Sequence, residues 1–286
     1  MDWSRTKTIF IVTFLFLNTF LAYQLVDKQS YENILSEQND NEQTFEELVE
    51  TENIVIDAEL PEHENLPQLI VETAPVSYDI VEEFYGGNSW FEDLDEDIVD
   101  GSLELTLILS SNFSVDDGLF SSVNAFVEEQ ILEGEYYSFG GMANAENTDN
   151  VEMNFYRDHE GYTLYGSGGN AHLVITVNES REITVAEQQF LNIDVREEFE
   201  ELELITAADA IEALFDEQVV TRNATIHDVE LAYYSANTDG ERAVYIPVYR
   251  IRASDDVYEE DPPFGDYYIV NADSGRVTSD ESLSDE

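Results

Sequence analysis

Between Ile9 and Val26 the chain carries eighteen consecutive residues without a formal charge. As a helix this run spans about 27 Å, just under the ~30 Å of a bilayer's hydrocarbon core. Arg5 and Lys7 precede it, Asp27-Lys28 close it, and Trp3 and Tyr23 fall at interfacial depth. Basic flanks stay in the cytoplasm, so everything after Lys28 is expected outside. A cleaved signal would need small residues in an A-x-A-like pattern. Phe20-Leu21-Ala22-Tyr23-Gln24 offers a single small residue among bulky ones. The run is therefore read as an uncleaved anchor: a cytoplasmic tail over 1–8, a transmembrane helix over 9–26 and a single-pass place in the cell membrane.

Within that helix Ile11, Phe14, Asn18, Leu21, Ala22 and Leu25 recur at alternating three- and four-residue spacing, one stripe with an amide at its middle. An Asn in hydrocarbon favours a partner helix it can hydrogen-bond, a contact worth about 0.6–2 kcal/mol. These six residues are the candidate partner-binding site. The eight-residue tail is too short to fold, so any influence on the cell interior must pass through the helix.

Charge narrows the outer part. Of the 64 acidic residues 62 lie beyond Lys28, with only eight of the 11 basic ones, a balance of −54. Residues 29–156 hold no Lys or Arg. Nucleic acid needs clustered cations and is excluded as a ligand, and docking on anionic lipid is disfavoured. The eight outer cations are all Arg, which stays charged above pH 12. This fits an alkaline or salty exterior, although lineage-wide drift in composition gives the same pattern. Cysteine is absent, which rules out disulfides, thiol catalysis and zinc–thiolate sites.

Residues 27–43 are polar and aperiodic, a stalk. Thr44-Phe-Glu-Glu47 forms a capping box ahead of a short helix. Asn53–Leu60 and Gln68–Thr73 read as strands, and Ser77–Tyr85 as a helix stopped by Gly86-Gly87. Leu103, Leu105, Leu107 and Leu109 alternate along a strand. Leu119–Leu132 is helical, with Phe120, Val123, Phe126, Val127 and Ile131 inward. Strands follow at Val151–Arg157, Tyr162–Tyr165, Ala171–Asn178 and Arg181–Val195. Thr206-Ala-Ala-Asp209 caps a second helix with Ala210, Ile211, Leu214 and Phe215 inward, before strands at Ile226–Ala236, Ala243–Arg252 and Tyr267–Asn271. The expected fold class is α+β: the membrane helix, then two tandem extracellular units over 44–200 (with an N-terminal extension) and 201–279. Each is a helix packed on an antiparallel meander, and an acidic tail over 280–286 ends the chain.

No stretch marks an enzyme, and no cofactor is expected. His63, His159, His172 and His227 occur singly, without metal-ligand spacing, and His159 is expected in a solvated turn tip. Tyr165-Gly-Ser-Gly-Gly169 has its glycines misplaced for a nucleophile elbow and joins two strands. Asp93, Asp95, Asp97 and Glu104 imitate a calcium loop, but Ile98 stands where its sharp turn needs Gly. Tyr136-Tyr137, Tyr233-Tyr234 and Tyr267-Tyr268, with Trp90-Phe91, are the remaining signal. In a strand such pairs place one ring in the core and one outside, and exposed Tyr anchors interfaces.

The amino end, Asp2-Trp3-Ser4 with Thr6 to Ile11, Phe14-Leu15, Leu17-Asn18 and Phe20 to Gln24, resembles the start of the YycI (WalI) proteins. Ile246-Pro247-Val248-Tyr249-Arg250-Ile251, followed by Tyr268 to Asn271, resembles that family's Pro-x-Trp-Arg-Ile strand and closing hairpin, with Tyr249 in place of Trp. The resemblance is weak from 28 to 100. It implies an accessory regulator of the YycG/YycF (WalK/WalR) two-component system, paired with YycH, contacting the sensor histidine kinase through membrane helices and controlling cell-wall metabolism. It also implies a YycH-like outer region of two α+β units. A membrane-tethered ligand-binding or inhibitor-like module and a wall-active hydrolase are the competing readings.

Overall fold

The computed structural model describes residue 14 and residues 44–62, 64–86, 101–115, 118–144, 150–166, 171–194, 202–236, 242–254 and 266–278. Among them no helix is long and apolar enough to cross a membrane. The expected span, the stalk and the acidic tail lie outside the described residues, Phe14 excepted.

Two compact units divide at Glu50/Thr51. The first holds most of helix α1 (Phe45–Glu52), at whose start Glu47 N–H donates to Thr44 Oγ1 (3.3 Å), the forward half of the expected capping box.

The second unit is α+β. Its helices are α2 (Tyr78–Tyr85), α3 (Leu119–Gln130) and α4 (Ala207–Asp216). The strands are β1 (Val55–Ile56), β2 (Leu69–Ala74), β3 (Leu105–Ser114), β4 (Tyr137–Asn144), β5 (Val151–His159), β6 (Tyr162–Gly166) and β7 (Leu173–Val177). They continue with β8 (Glu182–Gln188), β9 (Phe190–Asp194), β10 (Thr225–Ser235), β11 (Arg242–Ser254), β12 (Asp266–Asn271) and β13 (Val277–Thr278). All thirteen join one mixed sheet, whose main path runs β13-β12-β11-β10-β6-β5-β7-β8-β3.

One sheet holds the strands of both segments, on either side of the boundary expected near residue 200. β10 pairs parallel with β6 through Tyr233↔Leu164 and Tyr234↔Tyr165. β2, from the N-terminal extension, lies between β11 and β9. Open strand edges leave backbone N–H and C=O groups unpaired, and joining the segments satisfies them.

The first core lies between α2, α3 and one face of β3, β8, β7, β5 and β4. It holds Val81, Tyr85, Val123, Phe126, Val127, Leu105, Leu107, Met153, Phe155 and Ile175. Leu132 N–H donates to Tyr85 Oη (2.8 Å), tying α2 to the end of α3. α3 ends two residues earlier than expected. Glu133 turns left-handed there, and a Cβ on Gly134 would meet the Val127 carbonyl oxygen at 1.8 Å. Phe120, expected inward, is half exposed: it sits in the first turn of α3, in a T-shaped contact with Phe139 (ring centroids 4.8 Å apart).

α4 starts with the full expected capping box, Asp209 N–H donating to Thr206 Oγ1 and Thr206 N–H to Asp209 Oδ2. It packs on β11 and β12, burying Ala210, Ile211 and Leu214. On the other side of the sheet Tyr156, Tyr165, Ala232, Tyr234, Val248 and Ile269 make another core. β10 is thus covered on both faces, so Tyr233 and Tyr234 are both buried, against the expected one-in, one-out pattern. Tyr136-Tyr137 does follow that pattern, at 46% and 6% exposure.

Candidate functional site

β11 carries the Ile246–Ile251 stretch between β10 and β12. Strand alternation sends Tyr249 and Arg250 to opposite faces. Tyr249 is fully buried, and its hydroxyl donates to the Ile205 carbonyl (2.9 Å), holding the strand to the segment that leads into α4. Arg250, also buried, meets Tyr165 of β6, Glu230 of β10 and Tyr267 of β12. Its Nη1 donates to Tyr165 Oη (3.2 Å) and lies 3.7 Å from Glu230 Oε2, to which Tyr165 Oη also donates (3.0 Å). The guanidinium stands 3.6 Å from the Tyr267 ring centroid and 4.3 Å from that of Tyr165. Burial holds the Glu230 carboxyl above its ordinary range, against the pull of Thr163, Arg250 and Tyr165. This arrangement locks four strands together and offers no open reacting atom.

A cleft of about 490 Å³ opens where the sheet changes partners. β8 and β9 were expected as one strand. They break at Gln189, whose N–H donates to the His172 carbonyl (2.8 Å) and whose carbonyl accepts from Tyr137 Oη (3.1 Å). β8 stays beside β7, while β9 leaves to pair with β2. The cleft lies between Glu152 and Asn154 of β5, turned away from the core, and Thr73, Leu191 and Tyr245 of β2, β9 and β11. Glu104, His172 and Gln189 complete its polar lining. Burial and the charges of Glu104 and Glu152 raise the carboxyl pKa of neighbouring Glu187.

The expected site residues are placed unevenly. Of the stripe, Phe14 is helical and exposed; Ile11, Asn18, Leu21, Ala22 and Leu25 lie outside the described residues. Asp93, Asp95, Asp97, Trp90, Phe91 and His63 lie outside them too. No group of His, Asp or Glu among the described residues is arranged to hold a metal. His227 Nε2 meets Ser254 Oγ at 2.8 Å. His159 departs from the expected solvated tip. It ends β5 half-buried, with Nε2 enclosed and without a hydrogen-bond partner among the described residues. Burial lowers its pKa. The buried roles of Arg250 and Glu230 had no sequence signal beyond a charge inside an apolar strand.

Described arginines meet carboxylates at Arg157–Glu133 (3.0 Å), Arg222–Glu52 (2.6 Å), Arg242–Glu72 (3.2 Å) and Arg250–Glu230. The mixed sheet, its internal polar lock and the lined cleft define an α+β framework. The chain belongs to the YycI family, whose model, described as YycI protein, matches residues 32–272, well over half of its length. That family points to regulation of the YycG/YycF two-component system. No curated protein matches the chain. Among solved structures, an uncharacterized protein from Eubacterium rectale ATCC 33656 is similar at 10% identity and a TM-score of 0.46, over 79% of this chain and 90% of its own. The YpeB C-terminal domain of Bacillus megaterium is similar at 14% identity and a TM-score of 0.39, over 61% and 70%. Neither likeness bears on function.

Proposed function

We propose that the chain is a membrane-anchored, non-enzymatic accessory regulator. It pairs with a YycH-like protein and biases a YycG/WalK-like sensor histidine kinase that controls cell-wall metabolism. Membership of the YycI family carries this reading. The uncharged run from Ile9 to Val26 and the stripe through Asn18 support the route, lateral packing in the bilayer with the outer domain as a second grip. A regulator of this kind acts only as far as it packs better against one kinase state than the other. A coupling of about 1–3 kcal/mol changes the kinase equilibrium roughly 5–150-fold.

The test replaces residues 1–28 with an unrelated single-span anchor of matched length. Expected are loss of co-purification with the partner and kinase, and loss of the change in target-gene expression, at an unchanged amount of protein in the membrane. Regulation that survives the exchange refutes the helix route.

A further inference from the structure

Glu104 and Glu152 line the cleft beside β5 without a described basic partner, and carboxylates alone would mark only an acidic surface. Two further side chains change that reading. Tyr245 is 3% exposed and lines the same cleft, yet its hydroxyl has no hydrogen-bond partner among the described residues. His172 is 6% exposed. The Arg157 backbone N–H donates to its Nδ1 (3.1 Å), which places the proton of the neutral ring on Nε2. Nε2 has no partner among the described residues either, and His172 lines the cleft. Neither atom is among the fully enclosed unpartnered groups, so both donors open onto the cleft, where water or a ligand oxygen can accept from them.

The lining therefore presents two deeply set donors, two amides that serve either way (Asn154 and Gln189) and two carboxylates. We propose that this cleft binds a small amine-bearing zwitterion, an amino acid or dipeptide. Its ammonium meets Glu104 and Glu152, and its carboxylate or carbonyl oxygen accepts from His172 Nε2–H and Tyr245 Oη–H. About 490 Å³ lies within the range of small-molecule pockets. The net charge of −53 draws cations in and repels anions, which favours a ligand with a basic side chain over an acidic one.

The test titrates lysyl-glycine, glycyl-glycine and glutamyl-glycine into the purified full chain in mild detergent, followed by calorimetry. Binding is read on this chain alone, so the result does not depend on any kinase partner. Lysyl-glycine is expected to saturate one site, with glutamyl-glycine at least tenfold weaker. Tyr245→Phe, which removes one oxygen and keeps the ring, should weaken lysyl-glycine at least fivefold, about 1 kcal/mol. Glu152→Gln should weaken it by a similar factor, with both variants melting within about 2 °C of the wild type. Absence of saturable binding in the millimolar range overturns the proposal. So does equal binding of all three dipeptides, or binding that neither variant alters. If either variant melts lower, glutamyl-glycine against lysyl-glycine on the wild type still decides the matter.

Discussion

Replacing Arg250 by Met keeps an unbranched apolar stem and removes the charged guanidinium at its end. Glu230 then loses its cation while staying largely buried, and Tyr267 and Tyr165 lose the guanidinium between them. Removing one partner of a fully buried pair costs about 3–5 kcal/mol. Glu230 keeps 29% side-chain exposure, so hydration recovers part of that, and each lost ring contact adds about 0.5–1 kcal/mol. The expected loss is about 2–4 kcal/mol, a fall in melting temperature of roughly 4–16 °C for a unit of this size. Urea denaturation of the full chain in detergent, followed by fluorescence, measures it. Glu230→Gln and the double variant complete a cycle, with an expected coupling of at least ~1 kcal/mol.

The pH dependence has a definite sign. The Glu230 pKa is raised in the folded state, so the cost of its charge is absent below the unfolded carboxylate pKa and develops as pH rises through the folded value. The deficit of Arg250→Met should therefore shrink in acid. A loss under 1 kcal/mol, additive effects in the cycle, or a deficit that grows in acid would refute the lock.

Two further outcomes follow from buried polar groups. His172 titrates at about 4, lowered by burial and then by Arg157, so the stability it contributes is full above about 6.5 and is lost as pH falls toward 4. Relative to His172→Asn, which keeps an acceptor for the Arg157 N–H, the wild type should lose about 2 kcal/mol between pH 7 and 4.5 in paired urea titrations; parallel curves contradict this. Tyr249→Phe removes the bond to the Ile205 carbonyl and should cost about 1–2 kcal/mol by the same assay. A variant as stable as the wild type would show that α4 is held without that bond.

Local signals served well where a residue's role depends on its chain neighbours. The Thr206–Asp209 box opens α4, Leu105 and Leu107 alternate inward, and α2 spans Tyr78–Tyr85 as its pattern requires. β4 escaped notice because Gly140-Gly141 interrupts its apolar pattern. In the fold that interruption is a bulge beside β5, and a Cβ on Gly140 would meet the Tyr156 ring at 2.1 Å. The continuous apolar pattern from Arg181 to Val195 hid the break at Gln189, because both strands alternate in the same way and only their partners differ.

Sequence alone determined the mixed α+β content, the helix caps, the absence of thiol chemistry and the acidic character, since each depends on composition or on residues within a few positions. It also held the Tyr249-Arg250 pair, though not what those side chains do. Tertiary structure decided that β10 joins β6, that β11 serves two sets of partners, and that Arg250 meets Tyr165, Glu230 and Tyr267. It also brought His172, Tyr245 and Glu104 to one cleft. Those residues are far apart along the chain, and no local pattern encodes which distant strand will satisfy a given edge or charge. That choice is made by the joint requirement that buried backbone groups be paired and buried charges find partners.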